Sequence, residues 1–285
     1  SEKEMRGLIL LIIVLCSIKA QDDELLNLIN EGIVSPSIPV VATFKATRIV
    51  NAQSIELARP QTLEFMILHR FGSMKNGFYD LFGMDEAVIR FDLKYGLSDR
   101  LSLGFGRSSL NKTYDLFTKI KVLKQTNGSN SFPMSVVLFS KIEIETLTKK
   151  MEMSDRFTYA LQALVARKIN QSFSLQVMPT LIHRNLVETF DESNDLFSCG
   201  IGGRLKITRR TSLNFDTFLP IGKRQESFKQ SWGIGVDIDT GGHVFQLMLT
   251  NAQGSFESQY IENAYGGLED LNLFLGFNIT RAFSL

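Results

Sequence analysis

The sequence predicts an all-β fold: an antiparallel up-and-down transmembrane β-barrel of about 12 strands, preceded by a short N-terminal helical or extended segment. Three observations predict it. Apolar and polar residues alternate in segment after segment from Thr62 onward, the connections differ systematically in length, and the longest alternating segment ends the chain.

Composition removes several function classes. Among 285 residues, 31 are Lys or Arg and 30 are Asp or Glu, so no charge excess draws the chain to nucleic acid. Phe is abundant at 22 and Pro scarce at 6, which suits strands, where aromatic rings fit the pleat and Pro removes a ladder donor.

Residues 1–20 read as a signal peptide. Arg6 precedes the apolar run Leu8–Leu15, too short for a membrane-spanning helix, and Ala20 is the expected cleavage point, leaving Gln21 as the mature N-terminus. Cys16 permits a second reading, lipidation, but Leu15 stands where that cleavage needs a small residue. After cleavage only Cys199 remains, which excludes an intramolecular disulfide and a cysteine metal site. Residues 21–60 read as an N-terminal periplasmic or plug segment. Its first part, through Leu25, Leu26, Leu28 and Ile29 to Gly32, has the pattern of a short amphipathic helix. The stretch Pro39–Leu57 is an extended lead-in or an extra strand.

Residues 61–285 form the expected barrel. Ala87, Ile89, Phe91, Leu93 and Tyr95 alternate with Val88, Arg90, Asp92 and Lys94, a strand with one apolar and one polar face. The same rule recurs at Leu63–Ile67, Leu101–Phe105, Leu116–Val122, Met134–Ile142, Phe157–Val165, Phe173–Val177, Ile201–Ile207, Leu213–Leu219, Trp232–Ile238 and Phe245–Leu249. The last segment sets Leu271, Leu273, Leu275, Phe277, Ile279, Phe283 and Leu285 against Asn272, Gly276, Asn278, Thr280 and Ser284. Such a strand at the very C-terminus is what the outer-membrane assembly machinery reads, so that machinery and outer-membrane lipid are the expected partners. Short connections at Gly96–Arg100, Lys168–Gln171, Thr208–Arg210 and Thr240–Gly242 contrast with long ones at Gly72–Asp85, Ile144–Asp155, Arg184–Asn194, Ile221–Gln230 and Asn251–Asp270, with a medium one at Ser108–Lys112 and an intermediate one around Asn127-Gly128. Short turns on one rim and long loops on the other belong to bacterial outer-membrane barrels. Trp232, Tyr95, Tyr159 and Phe283 near strand ends fit interfacial girdles.

The runs Leu68-His69-Arg70-Phe71-Gly72, Tyr79-Asp80-Leu81-Phe82-Gly83-Met84-Asp85-Glu86-Ala87 and Tyr95-Gly96-Leu97-Ser98-Asp99-Arg100-Leu101-Ser102-Leu103-Gly104 resemble an uncharacterised β-barrel family of Bacteroidota envelopes. Gly106-Arg107-Ser108-Ser109 and Gly276-Phe277-Asn278-Ile279-Thr280-Arg281 fit the same resemblance, which spans Pro39 to Leu285. It implies an outer-membrane barrel and no particular activity.

No Gly-x-Ser-x-Gly elbow, His-Glu-x-x-His motif or phosphate-cradling loop is present, and the three histidines are scattered. No enzyme and no cofactor is expected. His69 is assigned a capping role at the rim of the first strand. If the apolar face meets lipid, the lumen-lining residues are Arg70, Arg90, Asp92, Lys94, Asp115, Lys119, Lys121, Arg204, Lys206, Asp216, Asp237 and Asp239. They either tune a narrow channel for small solutes or interlock as ion pairs that fill the lumen. Gly233, Gly235 and Gly276 thin the wall for a bend or a close-packed plug. The loops at Arg184–Asn194 and Asn251–Asp270 are candidate contacts for an envelope protein partner, the alternative being a non-conducting barrel that anchors an assembly.

Overall fold

A computed structural model describes residues 37–128, 131–147, 152–187, 193–222, 228–266, 269 and 271–285. The expected signal peptide, Cys16 and the amphipathic stretch through Gly32 lie outside these residues.

The alternating segments become twelve strands: β1 (Thr62–Ser73), β2 (Ala87–Gly96), β3 (Leu101–Ser108), β4 (Tyr114–Leu123), β5 (Ser135–Ile144), β6 (Phe157–Lys168), β7 (Phe173–Arg184), β8 (Asp195–Lys206), β9 (Thr211–Ile221), β10 (Ser231–Asp239), β11 (His243–Thr250) and β12 (Phe274–Ser284). Each pairs antiparallel with the next, and β12 returns to β1 through Phe277↔His69 and Ile279↔Ile67, closing the ring. Closure removes both sheet edges, so the backbone polar groups pair within the wall, as a hydrocarbon environment demands.

Side-chain alternation sets the two faces. On β2, Arg90, Asp92 and Lys94 are buried while Phe91 and Leu93 are exposed. The outward row continues through Leu103, Phe105, Leu116, Leu138, Leu161, Phe215, Ile234 and Leu247. Those positions would be costly in water and are at home in lipid.

One rim carries the connections 97–100, 124–134, 169–172, 207–210 and 240–242 together with the start of β1 and the end of β12. The opposite rim carries 74–86, 109–113, 145–156, 185–194, 222–230 and 251–273. The first is the periplasmic rim, where turns are short. Each rim has one exception. The longer periplasmic connection after β4 is held by a small antiparallel pairing of Thr126–Asn127 with Ile38–Pro39, where the chain approaches the barrel. Tyr95 and Phe283 lie toward the periplasmic rim, Tyr159 and Trp232 toward the other.

Two expectations change. Of the alternatives for Pro39–Leu57 the extra wall strand falls away: Pro39–Ala42 lie at the periplasmic rim and the chain passes into the barrel from Thr43, where a plug segment would sit. His69 caps nothing at the rim; it stands within β1 on the outward face, its ring stacked on Phe277 at 4.8 Å and tilted against Phe71 at 4.5 Å. Alternation alone already placed it there, opposite the buried Leu68 and Arg70.

Candidate functional site

The site is the lumen, and two segments fill it. The first is a hairpin, Thr43–Ala58. Arg48 and Gln53 form an antiparallel bridge, Ile49 N–H donates to the Ala52 carbonyl (2.9 Å), and Ser54 N–H donates to the Thr47 carbonyl (3.0 Å). The hairpin enters past the periplasmic rim, turns at Ile49–Ala52, and leaves by the same rim into β1. The exit is tight: a Cβ on Gly96 would stand 2.0 Å from the Arg59 carbonyl oxygen, so the close crossing there requires glycine.

Wall side chains from around the ring hold the hairpin. Oδ2 of Asp216 accepts the consecutive amide hydrogens of Val50 (3.0 Å), Asn51 (2.8 Å) and Ala52 (2.8 Å), a nest of N–H donors around one carboxylate oxygen. Lys119 donates to the carbonyls of Thr47 (2.9 Å), Ser54 (2.8 Å) and Glu56 (3.2 Å). Gln176 both accepts from Ile55 N–H (2.9 Å) and donates to the Gln53 carbonyl (2.7 Å). Arg204 donates to the Ala42 carbonyl at 3.0 Å, and Gln246 donates to the Ile49 carbonyl at 3.1 Å. Backbone groups that would otherwise be buried unpaired are thereby satisfied. Apolar packing adds to this, with Phe44, Ile49, Val50 and Ile55 in one core with Phe117, Phe139, Met178 and Phe218. Gly233 leaves room for the turn, since a Cβ there would stand 2.8 Å from Val50 Cγ1.

The second segment descends from the opposite rim. Part of the connection 251–273 folds into α1 (Glu257–Glu262), whose Glu257, Ser258, Tyr260 and Ile261 are buried. Loop and hairpin meet where Gln53 Nε2 donates to Glu257 Oε1 at 2.9 Å. Glu257 also pairs with Lys141, which lies 3.6 Å from Asp115 and 3.9 Å from Glu143; Ser258 Oγ donates to Glu143. Burial alone would raise the Glu257 carboxyl, but Lys141, Arg48 and the bond from Gln53 hold it down at about 2. Burial beside that carboxylate pushes the Tyr260 phenol up. Of the candidate partner contact at Asn251–Asp270, the part from Asn251 to Ile261 is turned inward and largely buried, whereas Asn263, Tyr265 and Glu269 are exposed. Part of Arg184–Asn194, residues 188–192, lies outside the described residues.

Of the residues expected to line the lumen, Arg70, Arg90, Asp92, Lys94, Asp115, Lys119, Arg204, Asp216 and Asp237 are buried inside. Arg90 makes a two-pronged bond to Asp115, one contact at 2.9 Å, and lies 2.7 Å from Asp92. Arg48 of the hairpin lies 3.5 Å from Asp92, and Lys94 reaches Glu64 at 2.8 Å. Lys121, Lys206 and Asp239 are half-buried at the periplasmic ends of β4, β8 and β10, and Asp239 pairs with Lys45. Among the described residues, further charges of the interior include Arg48, Glu64, Lys141, Glu143 and Glu257. Lys141 and Glu143 alternate with Ile142 and Ile144, so parity marks them; Val137 and Phe139 on the same face obscured it. No sequence signal placed Arg48 or Glu257 inside.

A family model described as "Membrane bound beta barrel domain (DUF5777)" matches residues 44–283. The chain belongs to this family. It is an outer-membrane protein: a membrane-bound, closed antiparallel barrel with short turns on one rim and longer loops on the other is the outer-membrane architecture. The match begins at Phe44, so the family domain takes in the hairpin as well as the wall. No curated protein sequence matches the chain. Among solved structures, the NanC porin is similar at 9% identity and a TM-score of 0.48, over 78% of this chain and 100% of that one. An outer membrane channel from Pseudomonas putida F1 is similar at 15% identity and 0.47, over 84% and 100%. The KdgM porin is similar at 6% and 0.46, over 79% and 99%.

Proposed function

We propose that this family member is a narrow channel for small polar solutes, held closed in its resting state by its own N-terminal hairpin. One observation carries the reading: the hairpin enters and leaves by the same rim, so it can withdraw without breaking any strand pair. Withdrawal would expose a wall bearing charges of both signs, Arg70, Arg90, Lys94 and Lys119 against Asp92, Asp115 and Asp216. A lumen meant only to be filled gains nothing from such groups, since buried ion pairs are often no more stable than apolar packing of the same volume. Once wet, they become the selectivity-tuning lining of a pore.

A second reading, a non-conducting barrel that anchors an envelope assembly, is favoured by the apolar part of the hairpin's packing, Phe44, Ile49, Val50 and Ile55. The two differ in whether the hairpin ever leaves. Asn51 Nδ2 donates to Thr250 Oγ1 at 2.8 Å, so cysteines at both positions, with Cys199→Ser, can be crosslinked across that contact. A closed channel gives current under voltage when reduced and none when crosslinked. A permanently plugged barrel is silent in both states.

A further inference from the structure

The outward wall is not uniformly filled. A depression of about 560 Å³ crosses strands β4 to β9 on the lipid-facing side. It runs alongside one register row, Thr118↔Ser140↔Leu161↔Leu181↔Phe197↔Ile221. Small side chains, Thr118, Ser140, Ala163 and Pro179, make the floor; Leu161, Leu181 and Phe197 stand beside it.

A second observation falls at the same place. Pro179 lies in the middle of β7, far from any sheet edge, where proline is seldom found because it has no amide hydrogen for the ladder. The β6–β7 pairing runs Gln162↔Thr180 and resumes at Val165↔Val177, with no pair at Ala163 or Leu164. The wall is thus recessed and unladdered at one spot.

The geometry points to a seat for one acyl chain of an outer-leaflet lipid. The medium on this face is hydrocarbon, and an empty apolar recess there forfeits dispersion contacts that a chain restores. The row spans five inter-strand spacings of about 4.8 Å, roughly 24 Å in all. Half of a ~30 Å hydrocarbon layer, crossed at the ~45° at which barrel strands tilt, takes roughly 21 Å. The row runs from the middle of β4 to the last residue of β9 at the long-loop rim, which places it in the outer leaflet. A chain lying in it would cover the ladder gap.

The test uses the whole barrel with Trp232→Phe and one new tryptophan, either Leu181→Trp in the recess or Leu247→Trp on the far side of the ring. Each protein is reconstituted in phosphatidylcholine with brominated acyl chains, which quench tryptophan, and then diluted into excess unbrominated phosphatidylcholine. A held chain makes fluorescence at position 181 recover on the order of ten-fold more slowly than at 247, the ratio given by about 1.4 kcal/mol of added binding. Filling the floor with Ala163→Phe removes the lag; Ser140→Leu serves as the second filling variant if the first fails its heat-mobility check. Equal recovery at the two positions overturns the proposal. So does a tryptophan at 181 that is never quenched, which would mean that protein, a second copy or a partner, covers the recess.

Discussion

Gln53 and Glu257 stand 204 residues apart and share one hydrogen bond of 2.9 Å, the point at which a hairpin rising from the periplasmic rim meets a helix descending from the other. Neither residue belongs to the wall. Their contact joins two separate obstructions into one closure, and Lys141 of β5 anchors it to the barrel through Glu257.

Glu257→Ala is expected to lower stability by about 2 kcal/mol, less than the usual cost of breaking a buried pair, because Lys141 keeps Asp115 and Glu143 nearby. Urea unfolding followed by gel mobility reads the loss. Adding Lys141→Met removes the stranded cation and should restore most of it; a double variant as weak as the single one would show that the pair is not the cause.

The same pair has a defined pH dependence. The folded Glu257 carboxyl lies near 2, below its ordinary 4.5, so its stabilisation is fully present above 4.5 and is lost as pH falls through the folded value. The stability difference between the native chain and Glu257→Gln is expected to stay constant above pH ~5.5 and to shrink progressively below ~4.5. A difference that grows on acidification would contradict this assignment.

Asp216→Ala removes the acceptor of three backbone amides at the hairpin turn. Charge-assisted bonds of this kind contribute about 1.5–3 kcal/mol each when their partners are left buried, so the turn is expected to leave its seat. With Cys199→Ser and Ala52→Cys in the background, a water-soluble maleimide should label position 52 much faster after Asp216→Ala. Unchanged labelling would mean that the apolar arms alone hold the hairpin.

Gly233→Leu attacks the same seat sterically. Its Cβ would meet Val50 and Asn51 within 3 Å, a clash that costs about 1–3 kcal/mol if the hairpin stays. The nearest wall atom, Asp216 Oδ1, would stand 3.3 Å away and needs to give only slightly, so the barrel should still fold and shift on heating, with position 52 accessible. Failure of the barrel to assemble would place the glycine's role in the wall instead.

Much of the wall was legible in the sequence because a barrel writes a period of two into every strand: Arg90, Asp92 and Lys94 against Phe91 and Leu93 admit one facing only. The interior was less so. Thr43–Ala58 carries no such period, since its residues contact side chains from around the ring instead of one sheet face. Glu257 sits in a connection whose length pointed to an external loop, and nothing local separates a polar segment bound for water from one bound for a polar lumen. Gly233, Gly235 and Gly276 pointed to a bend or an occupant by lacking side chains, and it is at Gly233 that the hairpin turn packs against the wall.

Closure by the hairpin is tested most directly by planar-bilayer conductance of the chain from Gln21 beside a version that begins at Arg59, both shown to be folded by heat mobility. Low conductance from the first and steady, ion-selective steps from the second, altered by Lys119→Glu, are the expected result. A truncated barrel that is folded and still silent, or a full chain that conducts equally well, would contradict it.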